Sequence, residues 1–98
     1  MSAALFLRAE AKDDLHEAFV WYQKRRIGLG FEFLRTVRVV LAAIERSPET
    51  FAVALDDVRK APLPRFPYVA YFVVLPAGIS VIAVIHEKRH PRRWQARR

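Results

Sequence analysis

The chain closes with IHEKRHPRRWQARR, and within it His86, Glu87 and His90 spell H-E-x-x-H, the letters of a helical zinc-hydrolase site. In that chemistry two imidazoles, four residues apart on one helix face, hold the metal while the glutamate serves its bound water. The chemistry therefore demands a helix. Here His86 follows directly from a β-branched run, and Pro91 disfavours helical backbone at His90. No His, Asp or Glu follows His90 to supply a third ligand. The remaining histidine, His16, lies between Asp14 and Glu17 on a predicted helix, where an exposed ion pair is its ordinary role. Neither a metal site nor a cofactor is expected.

The elements that would position these residues follow from periodicity. Residues 4–8 read as a short strand. Asp13 and Asp14 then bring negative charge to the first turn of a helix, where the macrodipole favours it, and Leu15, Ala18, Phe19 and Tyr22 fall on one face. That helix stops near Arg26, before Gly28-Leu29-Gly30. A second helix spans 31–46, with Leu34, Val37, Leu41 and Ile44 in a stripe and Phe33 and Val40 beside it; Ser47-Pro48 ends it. The pair forms an antiparallel hairpin.

After a polar connection over 49–57, residues 58–66 read as an extended segment whose Pro62 and Pro64 suit an edge or bulged strand. Residues 67–85 carry no charge over nineteen positions, close to the length of a membrane span. Pro76-Ala77-Gly78 divides the run into two strand-length pieces, which favours a β-hairpin with a three-residue loop. The predicted order is β-α-α-β-β-β: an α+β domain over 1–98 with a helical hairpin packed on a largely antiparallel sheet. Tyr68 with Phe72, and Tyr71 with Val73, should occupy opposite faces of that sheet.

Charge is concentrated. The 98-residue chain carries +7, and a net +5 of it lies in residues 86–98, from Lys88, Arg89, Arg92, Arg93, Arg97 and Arg98 against Glu87. Such a field suits a polyanion or an acidic protein segment; the plain alternative is a solvated tail that keeps a small protein soluble. The absence of cysteine removes disulfides and thiolate metal sites and fits a reducing compartment. The opening MSAALFLRAEAK has too short an apolar run for a signal peptide, so a cytoplasmic location without membrane insertion is expected.

Four stretches carry a family resemblance: AKDDLHEAFVWY, GLGFEFLRTV, VRKAPLPRFPYVAYF and IAVIHEKRHPRRW. Together they resemble the RelE/ParE superfamily of type II toxin-antitoxin toxins over nearly the whole chain. The most specific pieces are Arg65-Phe66-Pro67-Tyr68 and the pattern of His86, Arg89, Pro91 and Trp94. The resemblance implies a small basic toxin that inhibits growth and is neutralised by a cognate antitoxin, whose partly disordered segment wraps the helices and sheet. Leu15, Phe19, Tyr22, Leu34 and Arg38 are the candidate antitoxin contacts.

The superfamily divides by target. RelE-like members cleave mRNA in the ribosome without a metal, which requires a base, an acid and cations on the phosphate. Arg59, Lys60, Arg65, His86, Lys88 and Arg89 lie on or just beyond neighbouring strands and could converge on one face. On that reading Arg65, His86 and Arg89 are the catalytic candidates: Arg65 as phosphate clamp and His86, an imidazole, as the natural proton-transfer group. RelE-like nucleases commonly carry a tyrosine close to the C-terminus, whereas no tyrosine follows Tyr71. ParE-like members instead bind DNA gyrase and trap DNA cleavage without making or breaking a bond themselves. The R-F-P-Y element and the H-x-x-R-x-P-x-x-W ending look more like this branch, which is therefore favoured. Its candidate target contacts are Arg59, Arg65, Lys88, Arg89, Arg92, Arg93 and Trp94, the last as an aromatic anchor.

Plainer roles stand beside these. Trp21 and Tyr22 fit packing of the first helix on the sheet. Arg65 could pair with Asp57 or Glu87, and His86 could bond a neighbouring carbonyl. A nontoxic nucleic-acid-binding domain using charge alone is a further alternative; its affinity would fall steeply with salt. The mixed charge of Glu32, Arg35, Arg38, Glu45 and Arg46 on the second helix offers it no basic recognition stripe.

Overall fold

A computed structural model describes residues 4–98. Strand β1 (Leu5–Leu7) leads into helices α1 (Ala9–Arg25) and α2 (Leu29–Arg46). After a 3-10 turn at Pro48–Thr50 come strands β2 (Val53–Leu55), β3 (Val58–Pro62), β4 (Tyr68–Leu75) and β5 (Gly78–His86), and a last helical turn, α3 (Arg92–Gln95). The strands form one sheet in the order β1-β5-β4-β3-β2, with β1 parallel to β5 and every other pair antiparallel. The α+β class and the helical hairpin on one sheet face agree with expectation; the sheet has one strand more.

That extra strand lies inside the polar connection. Val53–Leu55 pairs with the start of β3 through a tight turn in which Asp56 adopts φ 50°, so a three-residue strand hides in a segment too short for an alternating pattern to register. β2 pairs with Val58 and Arg59 and the Ala52 carbonyl accepts the Lys60 N–H, so Pro62 lies beyond the covered part of the outer edge of β3. The prolines thus mark a half-open edge, as their missing N–H groups require.

α1 starts earlier than expected, at Ala9, so Glu10 is the acid of its first turn and Asp13 and Asp14 fall in the second. Its buried face is Ala11, Asp14, Ala18 and Tyr22; Leu15 and Phe19 are half-buried beside it. In α2 the deepest residues are Phe33, Val37, Val40 and Ile44, with Leu34 and Leu41 flanking, a small rotation of the predicted stripe. The helices approach closely at Gly30, where a Cβ would lie 2.7 Å from the Phe19 carbonyl oxygen. Gln23 Oε1 accepts the N–H groups of Gly28 and Gly30, each at 2.9 Å, and so satisfies donors that the start of α2 leaves open.

The 67–85 run is a β-hairpin, and among the described residues no helix is long and apolar enough to cross a membrane. Its loop has two residues rather than three, since Gly78 already pairs with Leu75. Tyr71 pairs with Ala83 but Phe72 with Val81, so Ile82 is an extra residue on β5. This bulge changes which residues of β5 face the helices. Ile79, Val81 and Val84 join the helix-side core, whereas Ile82, Ala83 and Ile85 pack on the far face. His86, in register with Tyr68, is thereby turned toward α1. Tyr68 and Phe72 pack on the helix side, and Tyr71 and Val73 on the other, as alternation requires.

Candidate functional site

The C-terminal basic segment is not a loose tail. Trp94 is 3% exposed and stacks on Tyr71, with ring centroids 4.7 Å apart and planes 17° from parallel, in the far-face cluster with Val58, Val73, Ile82, Ala83 and Ile85. An exposed aromatic anchor at Trp94 is therefore corrected: its ring completes the core. Arg97 donates to Asp14 and to the Ile82 carbonyl, and its own carbonyl accepts from Arg8 Nη1 at 2.7 Å. The ion pair with Asp14 raises the pKa of Arg97. Arg98 bridges Asp56 and Asp57 in the β2–β3 turn. What remains on the surface is Lys88, Arg89, Arg92 and Arg93.

These cations stand beside a cleft of about 440 Å³ between α1 and the ends of β4 and β5. Asp14, Glu17, Ala18, Trp21 and Tyr22, spaced as one face of a helix, form one wall; Tyr68, Val84 and His86 form the floor, and Arg89 and Arg93 stand at the mouth. Arg89 lies 3.6 Å from Glu17, an exposed pair of small energetic weight. The His86 ring packs on Tyr68 at 5.5 Å, and its Nδ1 accepts the Lys88 N–H at 3.0 Å rather than facing a carbonyl. That bond fixes Nε2 as the nitrogen free to act. Burial raises the pKa values of Tyr22 and Tyr68; Tyr68 adds to the first, and Arg89 partly offsets the second.

The H-E-x-x-H letters span a strand end and a turn. His90 Nδ1 caps the Arg92 N–H at 3.1 Å, and the two histidines share no helix. His16 forms no ion pair among the described residues, because Asp14 is taken by Arg97 and Glu17 lies beside Arg89.

The predicted basic cluster does not converge. Arg59 lies on the helix side of β3, where its Nη1 donates to the Phe51 carbonyl at 2.7 Å. Lys60 alternates to the far face beside Tyr71. Arg65 adopts φ 66° in the loop before β4 and donates to Thr36 Oγ1 at 3.3 Å, meeting neither Asp57 nor Glu87. The same turn drives Phe66 inward, 5.1 Å from Tyr22 and 5.4 Å from Phe33, ring centre to ring centre. Arg65-Phe66-Pro67-Tyr68 is thus a packing element: Phe66 and Tyr68 pin the hairpin to the helices, and the Pro67 carbonyl accepts the Glu87 N–H. Of the three catalytic candidates, His86 and Arg89 share the cleft while Arg65 lies outside it.

A second depression runs between α1 and α2, lined by Leu15, His16, Phe19, Phe31 and Leu34. It brings together three of the five predicted antitoxin contacts. Tyr22 instead packs in the core and lines the first cleft, and Arg38 is exposed farther along α2 without lining the groove. The residues that sequence reasoning passed over are Asp14, Glu17 and Arg97. The spacing of 14, 17, 18, 21 and 22 was available as a signal, but acids on a helix read as solvated until a partner is known.

No protein-family model matches the chain, and no curated protein matches it. Among solved structures, a chain of the chromosomal ParDE TA system from P. aeruginosa matches with a TM-score of 0.78 at 17% identity, over 87% of this chain and 96% of that one. The two share a fold: a helical hairpin on a mostly antiparallel sheet.

Proposed function

We propose that the protein is the toxin of a type II toxin-antitoxin system, that it inhibits DNA gyrase in the ParE manner, and that a ParD-like antitoxin neutralises it. The observation that carries this reading is the shared fold, which extends over 96% of a chain from a ParDE system. The scatter of the basic candidates favours a gyrase inhibitor over an mRNA nuclease. Arg59 and Lys60 face opposite sides of the sheet and Arg65 is engaged with α2, so of the cations predicted to hold a pentacoordinate phosphate only Arg89 shares the cleft with His86.

On this reading Lys88, Arg89, Arg92 and Arg93 meet the gyrase-DNA complex in the cytoplasm, with charge steering the encounter. Leu15, Phe19 and Leu34, joined by Phe31, receive an apolar face of the antitoxin. The deciding experiment is a gyrase assay on antitoxin-free, folded protein. Inhibited supercoiling with accumulation of cleaved plasmid is the expected result. Folded protein without effect on gyrase but with cleavage of ribosome-bound mRNA would instead place the activity at His86 and Arg89. Phe19→Glu should weaken the antitoxin complex without unfolding the toxin, measured by co-purification beside a thermal melt.

A further inference from the structure

The outer edge of β5 is sealed for only part of its length. β1 ends at Leu7, opposite Val81. Beyond it the Ile82 carbonyl accepts from Arg97 at 3.3 Å, and the Val84 N–H donates to Asp14 at 3.0 Å. The Glu87 N–H donates to the Pro67 carbonyl at 2.8 Å, which makes Tyr68 and His86 a non-hydrogen-bonded pair in the antiparallel ladder. The Val84 carbonyl and the His86 N–H therefore point away from β4, and neither has a protein partner among the described residues. Open strand edges are templates for another chain, and proteins commonly cover them. Here a buried ion pair covers the first half, while the second half gives onto a cleft with aromatic walls and two arginines at its mouth.

We infer that this cleft receives an extended, acidic peptide segment of a partner protein, added to β5 as a short strand. Its backbone bonds the Val84 carbonyl and the His86 N–H, one apolar side chain lies among Trp21, Tyr22 and Tyr68, and a carboxylate meets Arg89 and Arg93. Charge fits this occupant. Arg93 has no ion pair among the described residues, and Arg89 has only the long, exposed one to Glu17, which an incoming carboxylate can replace. A nucleotide would leave the strand-edge groups unused. The inference goes beyond the toxin reading and does not depend on it, because it concerns the isolated chain without gyrase or antitoxin.

The test uses the full chain and a fluorescein-labelled, N-acetylated heptapeptide that alternates glutamate with valine and phenylalanine. Fluorescence anisotropy follows binding, and amide hydrogen exchange at His86 follows strand addition. The peptide should bind, Arg89→Ala and Arg93→Ala should each weaken it about tenfold while keeping the thermal melt, and the His86 amide should exchange more slowly at saturation. Absence of binding, equal binding of a peptide with lysine in place of glutamate, displacement by AMP, or unchanged exchange at His86 would overturn the inference. The exchange experiment needs no variant, so it decides even where a substitution harms folding.

Discussion

Arg97 and Asp14, 83 positions apart in the chain, form a two-point ion pair on the edge of β5, with Nη1 to Oδ2 at 2.5 Å and Nη2 to Oδ1 at 3.0 Å. The same carboxylate accepts the Val84 N–H, so one acid joins α1, the sheet edge and the C-terminus. The pair closes a strand edge that β1 is too short to cover.

Removing only the cation leaves that carboxylate enclosed and without its partner. Arg97→Ala should lower stability by about 3 kcal/mol, whereas the Asp14→Asn/Arg97→Gln double variant should lose less than the two single changes combined. Urea denaturation of the parent, Arg97→Ala, the two single changes Asp14→Asn and Arg97→Gln, and the double variant measures both. A loss no greater than that of an exposed pair, about 1 kcal/mol or less, would mean that the C-terminus is not held by this bond.

The two tryptophans should respond in opposite ways. Trp94 is 3% exposed against Tyr71, whereas Trp21 is 49% exposed on the cleft wall under Arg25. Trp94→Ala should cost about 3 to 5 kcal/mol through the cavity it leaves. Trp21→Ala should cost about 1 kcal/mol or less. Equal losses in equilibrium denaturation would contradict the far-face core.

Gly78 adopts φ 147°, and a Cβ there would lie 2.5 Å from the Ala4 carbonyl oxygen, which itself accepts the Ile79 N–H at 2.7 Å. A side chain thus meets backbone that cannot move without loosening β1. Gly78→Ala should destabilise by about 1 to 3 kcal/mol and raise amide exchange at Ile79. Unchanged exchange there would show that the approach of β1 tolerates a methyl group.

Alkaline pH should weaken the fold through the tyrosines. The folded chain holds the phenol protons of Tyr22 and Tyr68 more tightly than the unfolded chain does, chiefly because the rings are buried, and Tyr71 shifts the same way for the same reason. A raised folded value contributes its full stability below the ordinary value of 10.0 and loses it as pH rises through the folded value. Arg97 and Arg98, whose pKa values are raised by their carboxylate partners, stay charged in this window. The melting temperature should therefore fall above about pH 10, and the decline should be shallower in Tyr22→Phe/Tyr68→Phe. A double variant with the same alkaline decline as the parent would assign the effect elsewhere.

The sequence by itself determined the local elements. The stripe in α2, the Ser47-Pro48 stop, the hairpin around Pro76 and Gly78, and the refusal of His90-Pro91 to continue a helix are all short-range consequences of periodicity and backbone sterics, and the structure bears them out apart from a small rotation of the stripe and a hairpin loop one residue shorter. The fold class followed from their order. Only the tertiary structure decided which polar residues meet. The Ile82 bulge turns His86 toward α1, the short β1 leaves an edge that Asp14 and Arg97 must close, and Arg65 turns outward so that Phe66 can turn inward. Trp94 and the final arginines read as an exposed, cationic ending because nothing within a few residues satisfies them. Their partners lie on other strands and on a helix formed at the other end of the chain, and pairing across such separations is set by sheet register and helix docking, which spacing along the sequence does not encode.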